Sequence, residues 1–157
     1  VFGINGHNFI KTMLKVGSTH DEVKVVDDQI GTPTYTLDLA RLLVDMIETD
    51  KYGYYHATNS ELPDTESGYD KNGTKTGYIS WYDFTKEIYR QAGYDTKVTP
   101  VTTAEYGLSK AVRPFNSRLD KSKLVENGFK PLPVWPDAVK RYLEILKKQR
   151  FFDELDK

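Results

Sequence analysis

Cysteine is missing altogether. That excludes disulfides and thiolate metal sites, and it is compatible with a reducing, cytoplasmic setting. Histidine is scarce, and His7, His20 and His56 stand at spacings that match no metal-ligand pattern, so no metal is expected. Neither sign of charge is in excess: 22 Lys and Arg against 23 Asp and Glu leave a net charge of −1. Near-neutrality argues against a nucleic-acid partner held through its phosphates. Long apolar runs are lacking too; none approaches the roughly 20 residues that span a bilayer, so no membrane partner is expected. No internal repeat is visible. What the chain has in quantity is aromatic side chains, 13% of its residues, with eleven Tyr among them. Its 157 residues suffice for one domain with a real core.

The most informative stretch runs from Val25 to Ala40. The β-branched pair Val25-Val26 ends in two acids, Asp27 and Asp28. Gly31 and Pro33 then build a turn, and an amphipathic helix opens at about Leu37. A strand end, a polar loop and a helix start this close together present donors that a ligand can meet. The same pattern also serves as an ordinary connection.

Around this stretch the local signals are regular. Asn8 is predicted to cap a helix over 9–16, with Gly17 just past its end. A strand is predicted over 23–26. The helix over 37–48 carries a broad apolar stripe of Leu39, Ala40, Leu43, Val44, Met46 and Ile47, and Asp38 lies in its first turn, where the dipole favours an anion. The aromatic run over 52–58 reads as a strand. Residues 59–77 hold Pro, three Gly and several acids without an apolar period, and read as a flexible surface insertion. Ser80 followed by Asp83 resembles a capping box. It opens a helix whose Trp81, Phe84 and Ile88 are expected to face the core, and Gly93 ends it. Pro100 marks the strand over 97–101 as an edge. Thr103 is expected to cap one turn through Tyr106, and Asp120 a short helix over 121–126. Pro136 suits the first turn of the last helix. Val139, Tyr142, Leu143 and Leu146 form its buried stripe, opposite Lys140, Arg141, Glu144 and Lys148. The Phe151-Phe152 tail is expected to fray or to dock on a partner.

The segment Asp28-Gln29-Ile30-Gly31-Thr32-Pro33-Thr34, followed by Asp38-Leu39-Ala40, resembles the family of dTDP-4-dehydrorhamnose reductases. These are extended short-chain dehydrogenase/reductases that act on nucleotide sugars. Further blocks agree in the same order: Val1-Phe2-Gly3 with Asn8-Phe9, Tyr55-His56-Ala57, Ser80-Trp81-Tyr82-Asp83-Phe84, and Arg113-Pro114-Phe115-Asn116-Ser117 with Leu119-Asp120. The resemblance covers residues 1 to about 146. It implies an α/β fold: the C-terminal substrate-binding lobe of a Rossmann-like protein, with part of the parallel sheet. In the resembled family an Arg-Thr-Ser-Trp segment precedes Val-aromatic-Gly. The chain is therefore read as the C-terminal half, with the N-terminal NAD(P)-binding half absent.

The implied activity is reduction of dTDP-4-dehydro-L-rhamnose to dTDP-L-rhamnose with NADPH or NADH, in polysaccharide biosynthesis. The cofactor would be bound mainly by the absent half. An apolar surface left exposed would favour self-association, so a homodimer is a further expectation. Two alternatives stand beside this reading. One is a non-catalytic regulatory relative, of the kind that serves methionine adenosyltransferase. The other is another nucleotide-sugar epimerase or dehydratase, which the Gln29-to-Thr34 block argues against, since those enzymes carry an Arg-Asp-aromatic pattern there.

Reductases of this family use a Gly-rich turn for the dinucleotide and a Tyr-x-x-x-Lys pair. The Tyr gives a proton to the sugar carbonyl while hydride arrives from the nicotinamide, and the Lys favours the phenolate. Both motifs lie upstream of the resembling region, so no catalytic residue is expected here. The sequence holds look-alikes: Gly3-Ile4-Asn5-Gly6, where Phe9 stands in place of a third glycine, and the pairs Tyr82/Lys86 and Tyr106/Lys110. Substrate-binding candidates come from the matched blocks. Arg113 corresponds to an Arg that meets the diphosphate and offers a bidentate fork, although a surface ion pair would use it equally. Asn116 is near it. Asn8 and Phe9 match a helix start close to the nucleotide base, and Gln29 and Thr34 match the loop beside nucleotide and sugar. Core packing for Phe9 and a local turn bond for Thr34 are the plain alternatives. His56 reads as structural.

Overall fold

The computed structural model describes residues 1–107 and 111–155. In chain order the elements are α1 (Phe9–Gly17), β1 (Glu22–Val26), β2 (Ile30–Gly31), α2 (Thr36–Ile47), β3 (Asn59–Ser60), β4 (Ile79–Ser80), α3 (Trp81–Ala92), β5 (Lys97–Val101), α4 (Thr103–Tyr106), α5 (Ser122–Glu126), β6 (Leu132–Val134), α6 (Trp135–Lys148) and α7 (Phe151–Leu155). β1 pairs in parallel with β5, β3 in parallel with β6, and β2 antiparallel with β4. The expected α/β class with pieces of parallel sheet is what the chain forms.

Local chemistry sets most element ends. The Asn8 side chain accepts from the Lys11 amide at the start of α1. Ser80 and Asp83 close a reciprocal capping box on α3, which ends at Gly93 in the left-handed conformation, φ 77°. Pro136 sits in the first turn of α6. α1, α3 and α6 then bury Ile10, Leu14, Phe84, Ile88, Trp135, Val139, Tyr142 and Leu146 in one cluster, with Phe151 and Phe152 of α7 packed against it. A smaller cluster joins Leu42 to Leu124, Phe129 and Leu132.

Several local expectations change. The 52–58 run forms no strand; Tyr52 and Tyr54 point into solvent, and only Asn59 and Ser60 reach β6. High β propensity gives no strand without a neighbouring edge to pair with. Residues 59–77 are more tied down than a loose insertion. They begin with the fully buried Asn59, are bridged at Leu62–Gly77 and Tyr69–Lys75, and anchor through Thr74, whose hydroxyl donates to Glu87 at 3.0 Å. Thr102, not Thr103, caps α4, because Thr103 is taken by Asp28. Asp120 accepts from the Ser122 amide, one residue before the capping position of α5. Trp81 lies at the surface rather than in the core.

The largest revision concerns α2. Its first-turn acid is no surface dipole partner: the Asp38 side chain is 1% exposed and receives both terminal nitrogens of Arg141, at 2.8 and 2.7 Å. Asn59 donates to the same carboxylate at 2.8 Å and to the Pro133 carbonyl at 2.9 Å, while its oxygen accepts the Tyr35 amide at 2.7 Å. Four separate segments meet in this one network. Burial pushes the Asp38 carboxyl up, but the bonds from Arg141 and Asn59 outweigh burial and hold it below the ordinary range. A carboxyl with a depressed folded-state pKa contributes stability above its unfolded value, near pH 4, and loses it as pH falls through the folded value. Thermal melts are therefore expected to lose midpoint steadily on acidification below about pH 4. Asp38→Asn should lack that component; an unchanged acid limb in the variant would disprove the assignment.

The outer side of α2 is bare. Leu37, Leu43, Val44 and Ile47 are exposed, Ile47 to 80%. The apolar stripe read from the sequence is thus real as a pattern, yet half of it, Leu43, Val44 and Ile47, is left exposed. No helix of the described residues is long and apolar enough to cross a membrane.

Candidate functional site

The two acids that end β1 organise the site. Asp27 accepts the Ser80 hydroxyl at 2.7 Å. Asp28 accepts both the amide and the hydroxyl of Thr103, at 3.0 and 2.6 Å, and these bonds, the hydroxyl's first, hold its carboxyl below the usual range. One acid thus fixes the start of α3 and the other the start of α4. The loop between them and α2 has little freedom left.

The Arg-Pro segment is stitched to that loop. The Ile30 amide donates to the Phe115 carbonyl at 2.9 Å, and the Ser117 amide donates back to Ile30 at 2.9 Å. The Ser117 hydroxyl also donates to the Ile30 carbonyl, at 3.1 Å. Gly31 suits this closeness: a Cβ there would lie 2.8 Å from the Ser117 hydroxyl oxygen, which would have to turn away from Ile30.

These contacts leave a pocket of about 140 Å³ between the loop, the start of α1 and the start of α3. Phe9, Trp81, Phe84 and Phe2 supply its apolar wall; Gln29, Gly31 and Ser117 supply its polar side. Phe9 stacks on Phe84 with centroids 5.7 Å apart and meets Trp81 at 4.6 Å. An apolar slot with a few polar groups on one edge suits a flat heterocycle.

The sequence candidates divide into two groups. Phe9 and Gln29 line the pocket. The Gln29 side-chain nitrogen donates to Thr103 at 3.0 Å. Asn116 pairs with Ile30 at the pocket's edge, and its side-chain oxygen accepts from the Arg118 amide and guanidinium at 3.1 and 2.9 Å. Arg113 is exposed on the same segment, three residues earlier, within about 10 Å of chain. Asn8 and Thr34 stand behind the pocket. The Asn8 amide nitrogen donates to the Gly3 carbonyl and to the Tyr142 hydroxyl, at 3.0 and 2.8 Å. Thr34 is 6% exposed, and its carbonyl accepts the Phe2 amide.

Sequence reasoning missed Trp81 and Ser117. Trp81, Phe84 and Ile88 share one helical period, so periodicity marks all three as core; only the last two are. Ser117 lies within the Arg-Pro segment and carries no separate signal.

Among the described residues, the look-alike catalytic motifs do not line the pocket. The Gly3 carbonyl accepts from Tyr142 and Asn8, which packs that turn on α6. The Lys86 ammonium lies over the Tyr82 ring, 5.1 Å from its centroid, on the side of α3 away from Phe84. Tyr106 ends α4, and Lys110 lies outside the described residues. Among the described residues no three His, Asp or Glu side chains are grouped to hold a metal ion.

Known proteins give the geometry a family. A spore coat polysaccharide biosynthesis protein, SpsK, from Bacillus subtilis is 38% identical over 92% of this chain and 44% of its own length. A dTDP-4-dehydrorhamnose reductase from Escherichia coli K12 is 34% identical, over 93% of this chain and 47% of its own. A crystal structure of a dTDP-4-dehydrorhamnose reductase from Clostridium acetobutylicum superposes with a TM-score of 0.79 at 39% identity, covering 94% of this chain and 47% of that one. A Bacillus anthracis dTDP-4-dehydrorhamnose reductase, solved in complex with NADP, superposes with a TM-score of 0.77 at 36% identity, covering 90% of this chain and 44% of that one. The chain spans about half the length of the relatives it matches. Residues 1–148 match the RmlD substrate binding domain, and the chain belongs to that family.

Proposed function

We propose that this chain is the nucleotide-sugar-binding part of an NAD(P)H-dependent reductase that converts dTDP-4-dehydro-L-rhamnose to dTDP-L-rhamnose. The observation that carries the reading is the pocket edged by Phe9, Gln29 and Ser117, with the Arg-Pro segment stitched to its loop. The base would enter the aromatic slot. The diphosphate would run along the segment over 113–117, toward Arg113 and Asn116. Asn8 and Thr34 would act from behind, by holding the start of α1 and the start of α2. The names of the relatives support the substrate class, and the relative solved with NADP supports a nicotinamide cofactor.

The Gly3–Gly6 turn does not fit a dinucleotide cradle. It gives its carbonyl to α6, and Phe9 fills the third glycine's place with a ring stacked on Phe84. No step of hydride transfer is assigned to this chain. NADPH or NADH would be bound mainly by an N-terminal half, and the isolated chain would not reduce the sugar. The exposed apolar side of α2 is where that half would pack. Without it, self-association into a homodimer through the same side is the alternative cover. Cytoplasmic location belongs to the same proposal.

Calorimetric titration of dTDP and of dTDP-rhamnose tests the reading. Binding is expected, and Arg113→Ala should weaken it about 10- to 100-fold, the range for losing a charge-assisted pair. Equal affinity in wild type and variant would remove Arg113 from the diphosphate. No binding to the folded chain would overturn nucleotide recognition by this part.

A further inference from the structure

We infer that the cleft between the 59–77 segment and the outer side of α3 is a second ligand site, and that it takes a hexose phosphate. It is independent of the nucleotide-sugar reading above, since it shares no lining residue with the pocket at Phe9 and Gln29. The cleft holds about 540 Å³, a volume typical of small-molecule sites. Its walls are tied together. Asp70 accepts the Asn72 and Thr74 amides at 2.8 and 2.9 Å, which closes the turn that carries Lys75. The Thr74 hydroxyl donates to Glu87 of α3, and Glu87 also accepts from Arg90, at 2.7 and 2.6 Å, and from Gln91, at 2.6 Å. Asp83 is taken up by the amide and hydroxyl of Ser80. The two acids of this wall are therefore already neutralised or bonded.

The lysines are not. The ammoniums of Lys75 and Lys86 both lie against the Tyr69 ring, 5.0 and 5.5 Å from its centroid, and Lys86 also faces Tyr82 at 5.1 Å. Among the described residues neither ammonium forms an ion pair or a hydrogen bond. Two like charges gathered on one ring repel each other, and a dianion that bonds to both relieves the repulsion. Ammonium heads are compact point charges that suit phosphate, whereas the planar fork of Arg90, which would suit a carboxylate, is already spent on Glu87. The other end of the cleft has the opposite character. Asp95 follows the end of α3, roughly 10 Å along the helix axis from Lys86, and its carboxylate is exposed and bonded to no described residue. Thr96 beside it gives its hydroxyl proton to the Gly17 carbonyl at 2.8 Å and keeps its oxygen as an acceptor. Acceptors at that end match hydroxyl groups. A phosphate at one end and hydroxyls at the other describe a sugar phosphate, which bridges the cleft where inorganic phosphate does not.

Calorimetric titration with glucose 6-phosphate, inorganic phosphate and glucose gives the test. Glucose 6-phosphate should bind, inorganic phosphate about tenfold more weakly, the scale of the lost hydroxyl bonds, and glucose not detectably. Lys75→Ala and Lys86→Ala should each lower the affinity for glucose 6-phosphate about tenfold or more, the scale of one charge-assisted bond. Lys86→Arg, which keeps the charge, should hold it within a few-fold. Asp95→Ala should weaken glucose 6-phosphate without weakening inorganic phosphate. None of these side chains packs in the core, so all variants should melt within about 2 °C of wild type. Unchanged affinity in both lysine-to-alanine variants would overturn the site. Inorganic phosphate bound as tightly as glucose 6-phosphate would overturn the sugar and leave an adventitious ion only. No binding of glucose 6-phosphate to the wild-type chain would overturn the inference and leave the nucleotide-sugar reading, which the dTDP titration tests, standing.

Discussion

Replacing Asp38 with Ala is expected to cost about 3 kcal/mol of folding stability, the low end for breaking a buried ion pair. The residue lost is a small one, and its volume is not the reason. Removal strips the Arg141 guanidinium of the two bonds to Asp38, leaves the Asn59 amide nitrogen with Pro133 alone, and keeps a cation in a partly desolvated place. Arg141 retains Asp137, at 2.7 Å on the solvent side, which is why the low end applies. For a chain of this size that free energy corresponds to a fall in melting temperature of about 6–12 °C. The pair need not be worth that much in itself. A double variant, Asp38→Leu with Arg141→Met, removes both charges and should recover much of the loss, since apolar replacements of buried pairs are often near neutral. Thermal melts of the single and double variants decide it. A single variant within about 0.5 kcal/mol of wild type, the range of ordinary surface changes, would mean that the network does not hold the four segments together.

The same residue shows what a sequence conceals. Asp38 in a first helical turn has a sufficient local explanation, so nothing in the pattern calls for a partner 103 positions away. Most signals whose physics is local were legible, the caps at Thr103 and Asp120 excepted. Asn8, Ser80 with Asp83, Gly93 and Pro136 act within a turn of where they stand, and each sits where its chemistry suggests. Signals that need a neighbour were not. The 52–58 run has strand propensity and no edge to join. α2 has an apolar stripe half of which stays exposed. Trp81 obeys the period of a core residue and lies at a pocket. The pocket followed the same rule: its loop and its Arg-Pro segment were readable as family blocks, but the Ile30–Phe115 and Ile30–Ser117 bonds that join them cross more than eighty residues.

Phe84→Ala should cost about 4 kcal/mol, within the range for emptying a buried phenylalanine site. The ring is nearly inaccessible and lies against three others: Phe9 at 5.7 Å, Trp135 at 5.9 Å and Phe2 at 6.3 Å. Those neighbours come from α1, α6 and the first residues of the chain, so relaxation around the cavity would have to move several elements at once. In urea the midpoint should fall at unchanged m, the signature of lost stability without a change in the exposed surface. A loss below about 1 kcal/mol would show that the site collapses freely, and that the core is looser than the contacts imply. The substitution reaches the pocket as well, because Phe84 is the support behind Phe9, and Phe9 the support behind Trp81. Phe84→Leu refills most of the volume without the flat face. It should recover most of the stability, yet still bind dTDP more weakly than wild type, because Phe9 then has no ring to stack on. If Phe84→Leu restores stability and affinity together, the wall needs only bulk, and the stacking order Phe84–Phe9–Trp81 has no part in binding.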